Sequence, residues 1–129
     1  MTNRILNTRV AGVTFEGRQA LIEQIRTSDP CRLVPEPTNP YDKNAIAVHV
    51  AHDGNVWHIG FVPKEIAAEI APYLEGEALM CRIAEITGGF ETRDGDTASL
   101  GVRLRIELPT VIGENPNDIL YPPWGNGDA

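Results

Sequence analysis

The sequence predicts a mainly β fold with two α-helices, a small six-stranded antiparallel barrel or strongly curled sheet whose openings the helices cover. Three observations predict it. Six short windows are rich in apolar and β-branched residues, the last of them alternating strictly; an Asp-Gly pair joins two of those windows as a hairpin; and only two windows carry the apolar spacing of a helix.

Taken in order, "RVAGVTF" (Arg9 to Phe15) reads as the first strand, and "GRQALIEQIR" as a short helix with Leu21 and Ile25 one turn apart on one face. "CRLVPEP" reads as a second strand ended by Pro35 and Pro37. "AIAVHVA" (Ala45 to Ala51) places Ile46, Val48 and Val50 on one face, the period of a half-buried strand. Asp53-Gly54 suits a type I′ turn, where both central residues take positive φ, so "VWHIGFV" pairs with that strand as a hairpin. "PKEIAAEIAPYLEGE" opens with Pro63 at a first helical position and repeats apolar residues at Ile66, Ala67, Ile70 and Leu74; Pro72 kinks it or ends its regular part, and Gly76 stops it. "ALMCRIAEIT" is a further strand and "GGFETRDGD" a loop. In "ASLGVRLRIEL" the residues Leu100, Val102, Leu104, Ile106 and Leu108 face inward while Arg103, Arg105 and Glu107 face out. The expected organisation is an N-terminal extension over 1–8, one domain over 9–109, and an irregular tail over 110–129 pinned by Ile119, Tyr121 and Trp124.

Charge narrows the function. The 129 residues carry eleven Lys and Arg against eighteen Asp and Glu, a net charge of -7, and removing the tail with its three acids and no base leaves fifteen against eleven. Such a chain does not coat nucleic acid through a basic surface, so any contact with it is local and small. No apolar run approaches the ~20 residues of a membrane span, and the N-terminus lacks the apolar stretch of a signal peptide, which reads as cytoplasmic and without a membrane partner. Cys31 and Cys81 lie fifty positions apart without a CxxC partner, the pattern of two reduced, buried thiols.

One stretch is over-equipped for a chain reversal. "EPTNPYDKNAIAVHV" (Glu36 to Val50) gathers a ring, a carboxylate, an ammonium and two amides just before a strand. Asp42 and Asn44 have a local use, since such side chains hold turn backbone. Lys64 follows Pro63 at a helix opening with no Ser, Thr, Asp or Asn immediately ahead to cap the first amides, a place where an anion meets donors and an ammonium together. The alternative is a solvated lysine paired with Glu65, Glu69 or Glu36, an arrangement worth little. The Tyr41 ring, in a turn, either covers the barrel's mouth or stacks on a base, and the Phe15 ring, beside a strand end, either packs in the core or stacks on a base. His49, His52 and His58 lie around the hairpin, but without a carboxylate at fixed ligand spacing no metal is expected; nor is there a Ser/His/Asp set or a phosphate-cradling glycine loop, so no cofactor and no catalysis are expected.

"VAGVTF", then "LVPEPTNPYDKNAIAV", then "IGFVPKEIAAEIAPYLEG", resembles the HIRAN domain over about Arg9 to Leu108. This module is found at the amino-terminal end of certain SWI/SNF-type repair helicases and as small bacterial proteins. The resemblance implies an OB-like barrel with two helices and a non-catalytic clamp for the free 3′ end of single-stranded DNA, in repair or replication, with a helicase or nuclease as the kind of protein partner it serves. Residue by residue, it implies that Phe15 and Tyr41 stack on bases, Asn39 and Asp42 surround the terminal sugar with Asp42 accepting the 3′ hydroxyl's hydrogen bond, and Lys64 meets a phosphate. Thr14 stands where DNA-binding helicase members can carry a base, and Phe90 is a candidate for a third aromatic. The competing reading is a protein-interaction module that holds an acidic peptide or a carboxylate terminus in the same groove.

Overall fold

The computed structural model describes residues 4–74 and 79–108. Among these residues six strands and two α-helices follow one another as β1 (Arg4–Arg9), α1 (Arg18–Ile22), β2 (Cys31–Pro35), β3 (Ile46–His52), β4 (Asn55–Phe61), α2 (Lys64–Ile70), β5 (Met80–Thr87) and β6 (Gly101–Leu108), with a 3-10 turn over Ala71–Leu74 after α2. The strands form two three-stranded antiparallel sheets, ordered β1-β6-β5 and β2-β3-β4.

Each sheet is organised by its central strand. In β6 the alternation holds as read: Val102, Leu104, Ile106 and Leu108 are buried, and Arg103 is exposed. In β3 the inward set Ile46, Val48 and Val50 is buried, but Ala47 is fully buried too, so this strand is covered on both faces rather than half-buried. These residues form one core with Ile22 of α1 and Ala67 and Ile70 of α2, which is why the helices hold their places: truncating a fully buried Leu or Ile here costs about 2–5 kcal/mol.

Several expectations are corrected. The first strand runs Arg4–Arg9, not Arg9–Phe15, because Gly12 takes φ 74 and turns the chain away. The first helix is five residues long and ends at Ile22, which is its buried apolar residue; Leu21 is only half-buried, and Ile25, also buried, lies beyond the helix end. Pro63 is the cap residue before α2 rather than its first residue, while Pro72 ends the regular helix as expected, in the 3-10 turn. Among the described residues the six strands pair as two sheets rather than as one continuous barrel ladder. The sheets meet through isolated bridges, Ala11↔Phe61 on one side and Pro30↔Arg82 on the other. Pairing stops at these points because Gly12 leaves the strand direction and Pro30 has no N–H to extend a ladder. Gly76 and the tail with Ile119, Tyr121 and Trp124 lie outside the described residues.

Asp53 and Gly54 take φ 53 and 83 between the paired residues His52 and Asn55, the hairpin turn their chemistry requires. Further along this hairpin the register skips Ile59, pairing Val48 with Gly60 and His49 with His58. The bulge delivers Gly60 to the seam at φ 155, where an added Cβ would stand 2.5 Å from the Ala11 carbonyl oxygen. Only a glycine lets the two backbones close there through Ala11 N–H to Phe61 O at 2.7 Å and Phe61 N–H to Ala11 O at 2.9 Å. Gln19 ties the same region to the other sheet: its amide donates to the carbonyls of Val13 and Leu100 and accepts from the Leu100 N–H.

Candidate nucleic-acid interface

Three chain segments, 11–18, 36–45 and 58–64, surround a cavity of about 450 Å³. The seam glycine positions the first against the third. Between β2 and β3 the second is a self-bonded loop: Glu36 N–H donates to Ala45 O, Asn39 N–H to Glu36 O, and Ala45 N–H to Asp42 O. Val62 N–H, bonded to Ile46 O at 2.9 Å, docks the start of α2 beside the start of β3.

Asn39, Tyr41, Asp42 and Lys64 all line this cavity. Asn39 is the loop's internal scaffold: its Oδ1 accepts from the N–H groups of Tyr41 (2.8 Å) and Asp42 (3.1 Å), and its Nδ2 donates to Glu36 Oε1 at 3.0 Å. Asp42 Oδ1 accepts from Asn44 N–H at 2.9 Å, the local use of an aspartate in a turn. Its other oxygen has no hydrogen-bond partner among the described residues. Tyr41 is 93% exposed, so its ring does not pack against the core. Lys64 is the exposed first residue of α2, and no side chain among the described residues caps the helix. Of the three surface partners considered for it, Glu69 accepts from Arg4 and Glu36 from Asn39, and Lys64 forms no ion pair with these, with Glu65 or with any other of the described residues.

Phe15 belongs to the turn before α1 and is 65% exposed. It is outside the cavity lining, though its neighbour Glu16 is part of it. Phe90 is exposed on the β5–β6 connection and is not brought to the cavity.

Sequence reasoning missed Arg18, Glu16, His58 and Phe61, which complete the wall. Arg18 is only 6% exposed; its guanidinium donates to Gly12 O and to Glu16 Oε1, both at 2.8 Å, and lies 5.4 Å from the centre of the Phe61 ring. The available signal was its spacing, for Arg18 stands one turn before buried Ile22 on the same helix face. His58 meets Phe61 edge-on at 4.8 Å and donates from Nε2 to Gly60 O.

The histidines do not gather. His49 and His58 approach across the hairpin, with ring centres 5.4 Å apart, but His52 turns to Asp29, at 2.8 Å. No group of three or more His, Cys, Asp or Glu suited to a metal occurs among the described residues. His49's pKa is lowered, first by burial and then by the neighbouring His58. Asp29's is lowered chiefly by the hydrogen bond from the Arg26 N–H. No helix among the described residues is long and apolar enough to cross a membrane.

The cavity thus offers two cations, Arg18 and Lys64, among three carboxylates, Glu16, Glu36 and Asp42, with one free ring at the lip. Such a wall suits a small ligand with one anionic group and hydrogen-bond donors, and it defines a binding module built on two antiparallel sheets. The pattern of the HIRAN domain matches residues 4–110, and the chain belongs to that family. HIRAN domains are nucleic-acid-binding modules. Neither a curated protein nor a solved structure matches the chain.

Proposed function

We propose that the protein binds the free 3′-hydroxyl end of single-stranded DNA, as a non-catalytic cytoplasmic module in repair or replication that a helicase or nuclease recruits. The observation that carries this reading is the convergence of Tyr41, Asp42 and Lys64, with Arg18, on one cavity. A terminal nucleotide presents a hydroxyl donor, a phosphate and a base face within a few ångströms of one another. Asp42, held by the Asn39 scaffold, accepts the hydroxyl; Lys64 and Arg18 meet the phosphate; Tyr41 stacks on the terminal base, and Phe15 on the neighbouring lip takes the next. The three carboxylates favour an end over a continuous strand, because a longer polyanion would run against them.

Fluorescence anisotropy with oligonucleotides that differ only at the 3′ end tests this. The 3′-hydroxyl strand binds more tightly than the 3′-phosphate strand, since Asp42 accepts from the one and repels the other. Equal binding of the two would remove the terminus reading and leave the acidic-peptide or carboxylate-terminus partner as the better account of the cavity.

A further inference from the structure

Cys31 and Cys81 face each other where the two sheets meet. The bridge Pro30↔Arg82 sets β2 and β5 antiparallel, so one step forward on β2 and one back on β5 places Cys31 opposite Cys81. Their sulfurs are 3.2 Å apart, and both thiols are free and half-buried rather than fully buried. Directly opposed residues of antiparallel strands have Cα atoms about 4.5–5.5 Å apart, inside the span of a disulfide, so bond formation needs side-chain rotation and little backbone movement.

The two thiols are not equivalent. A second cavity, of about 350 Å³, is lined by Cys31 with Pro30, Arg32, Val34, His49 and Val56, and Cys81 is not part of it. The hydrogen bond between the thiols lowers the pKa of Cys31, while the same bond and burial raise that of Cys81. Cys31, which opens onto this cavity, is therefore the thiol that an incoming reagent meets and that ionises the more readily, and Cys81 is its partner across the seam.

We propose that Cys31 and Cys81 form a reversible covalent clamp between the two sheets, closed by exchange with a low-molecular-weight disulfide that enters beside Cys31. The Cys31 thiolate attacks one sulfur of that disulfide, breaking its S–S bond and expelling the first small thiolate. Cys81, losing its proton, attacks the Cys31 sulfur of the mixed disulfide and expels the second. The two cysteines are oxidised by two electrons, the small disulfide is reduced to two thiols, and the two protons end on those thiols. Arg32 at the cavity's edge favours an anionic disulfide such as oxidised glutathione. The clamp joins edge strands that otherwise share an isolated bridge, and it is independent of the DNA reading.

Intact-mass measurement of the full chain after incubation with oxidised glutathione tests the clamp. The expected product is lighter by two hydrogens, contains a Cys31–Cys81 cross-linked peptide, resists alkylation at both positions, and melts roughly 10 °C higher, all reversed by a dithiol reductant. Cys81→Ser stops at a stable glutathione adduct on Cys31, and Cys31→Ser forms no adduct at the same rate on Cys81. Wild-type protein that keeps two alkylatable thiols, or that holds glutathione on Cys31 without resolving it, overturns the proposal whether or not the variants fold.

Discussion

Arg18 and Glu16 form an ion pair at 2.8 Å in which the cation is buried and the carboxylate exposed, at the wall of the candidate site. Glu16 holds φ 57, an uncommon backbone conformation for a residue with a side chain. A carboxylate there occupies a donor of the guanidinium that a ligand phosphate would otherwise take. Removing Glu16 leaves Arg18 still bonded to Gly12 O and beside the Phe61 ring, so the cation keeps its place. Glu16→Gln is expected to tighten oligonucleotide binding by roughly threefold at low salt, since the solvent-exposed carboxylate is screened and its competition for Arg18 is worth about 1 kcal/mol at most. Anisotropy titrations of the two proteins check it, and weaker binding by the variant would show that Glu16 helps rather than competes.

The seam beneath that pair depends on one glycine. At Gly60 a Cβ would meet Ala11 O and Val10 Cγ1, each at 2.5 Å, so Gly60→Ala must part the two hydrogen bonds joining Ala11 to Phe61. The expected loss is about 2–4 kcal/mol, with weaker DNA binding because segment 11–18 shifts away from the cavity. Gly54→Ala is the control: φ 83 is similarly unfavourable but nothing lies within 4 Å, and the cost should stay near 1 kcal/mol. Comparable melting temperatures for the two variants would show that the seam has no special tightness.

These two sites show what the sequence made legible. The β6 alternation and the Asp53-Gly54 turn were readable because each is a local signal, burial of one strand face and a two-residue backbone requirement. Strand β1 was displaced because "RILNTR" buries only Thr8 and so carries no period, whereas the apolar letters after Arg9 drew the reading past the Gly12 turn. In the site, Asn39, Tyr41, Asp42 and Lys64 sit in continuous motifs. Arg18 and His58 joined them only through the Ala11↔Phe61 seam, a contact between segments fifty residues apart that no local pattern announces. The two seams, likewise non-local, are isolated bridges where the sequence suggested continuous strand pairing.

Acidification provides a test of the hairpin's packing. Burial and His58 lower the His49 pKa, with Glu36 opposing and Arg32 assisting, so in the fold the ring stays neutral below the ordinary histidine value of about 6.5. In that interval the unfolded chain binds the extra proton and the folded chain does not. Stability is thus fully present above about pH 6.5, falls as pH drops through it, and levels off once the folded ring also protonates. Asp29, whose pKa is lowered, contributes in a separate window below about pH 4. Thermal melts from pH 7.5 to 5 should show a declining Tm in wild type and a flatter profile in His49→Gln; parallel profiles would remove His49 as the cause.

Asp42 gives the most discriminating variant, provided its two oxygens are separated experimentally. Oδ1 holds the turn through Asn44 N–H, so Asp42→Ala would disturb both the loop and any ligand. Asp42→Asn keeps an oxygen for Asn44 but removes the charge that repels a 3′-phosphate. It should retain near-normal thermal stability while losing most discrimination between 3′-hydroxyl and 3′-phosphate strands. Lys64→Ala should weaken both strands alike and flatten the slope of log K against log salt by about 0.7, the contribution of one single-strand phosphate. Tyr41→Ala, at a ring 93% exposed, should weaken both by about 1–3 kcal/mol with the salt slope and the melting temperature unchanged. Asn39→Ala should fail differently, losing about 1–3 kcal/mol of stability, because its side chain bonds two backbone N–H groups of the loop rather than standing free. A wild-type salt slope of about −4 or steeper would contradict the whole assignment, for it would require several more phosphate contacts than Arg18 and Lys64 can make.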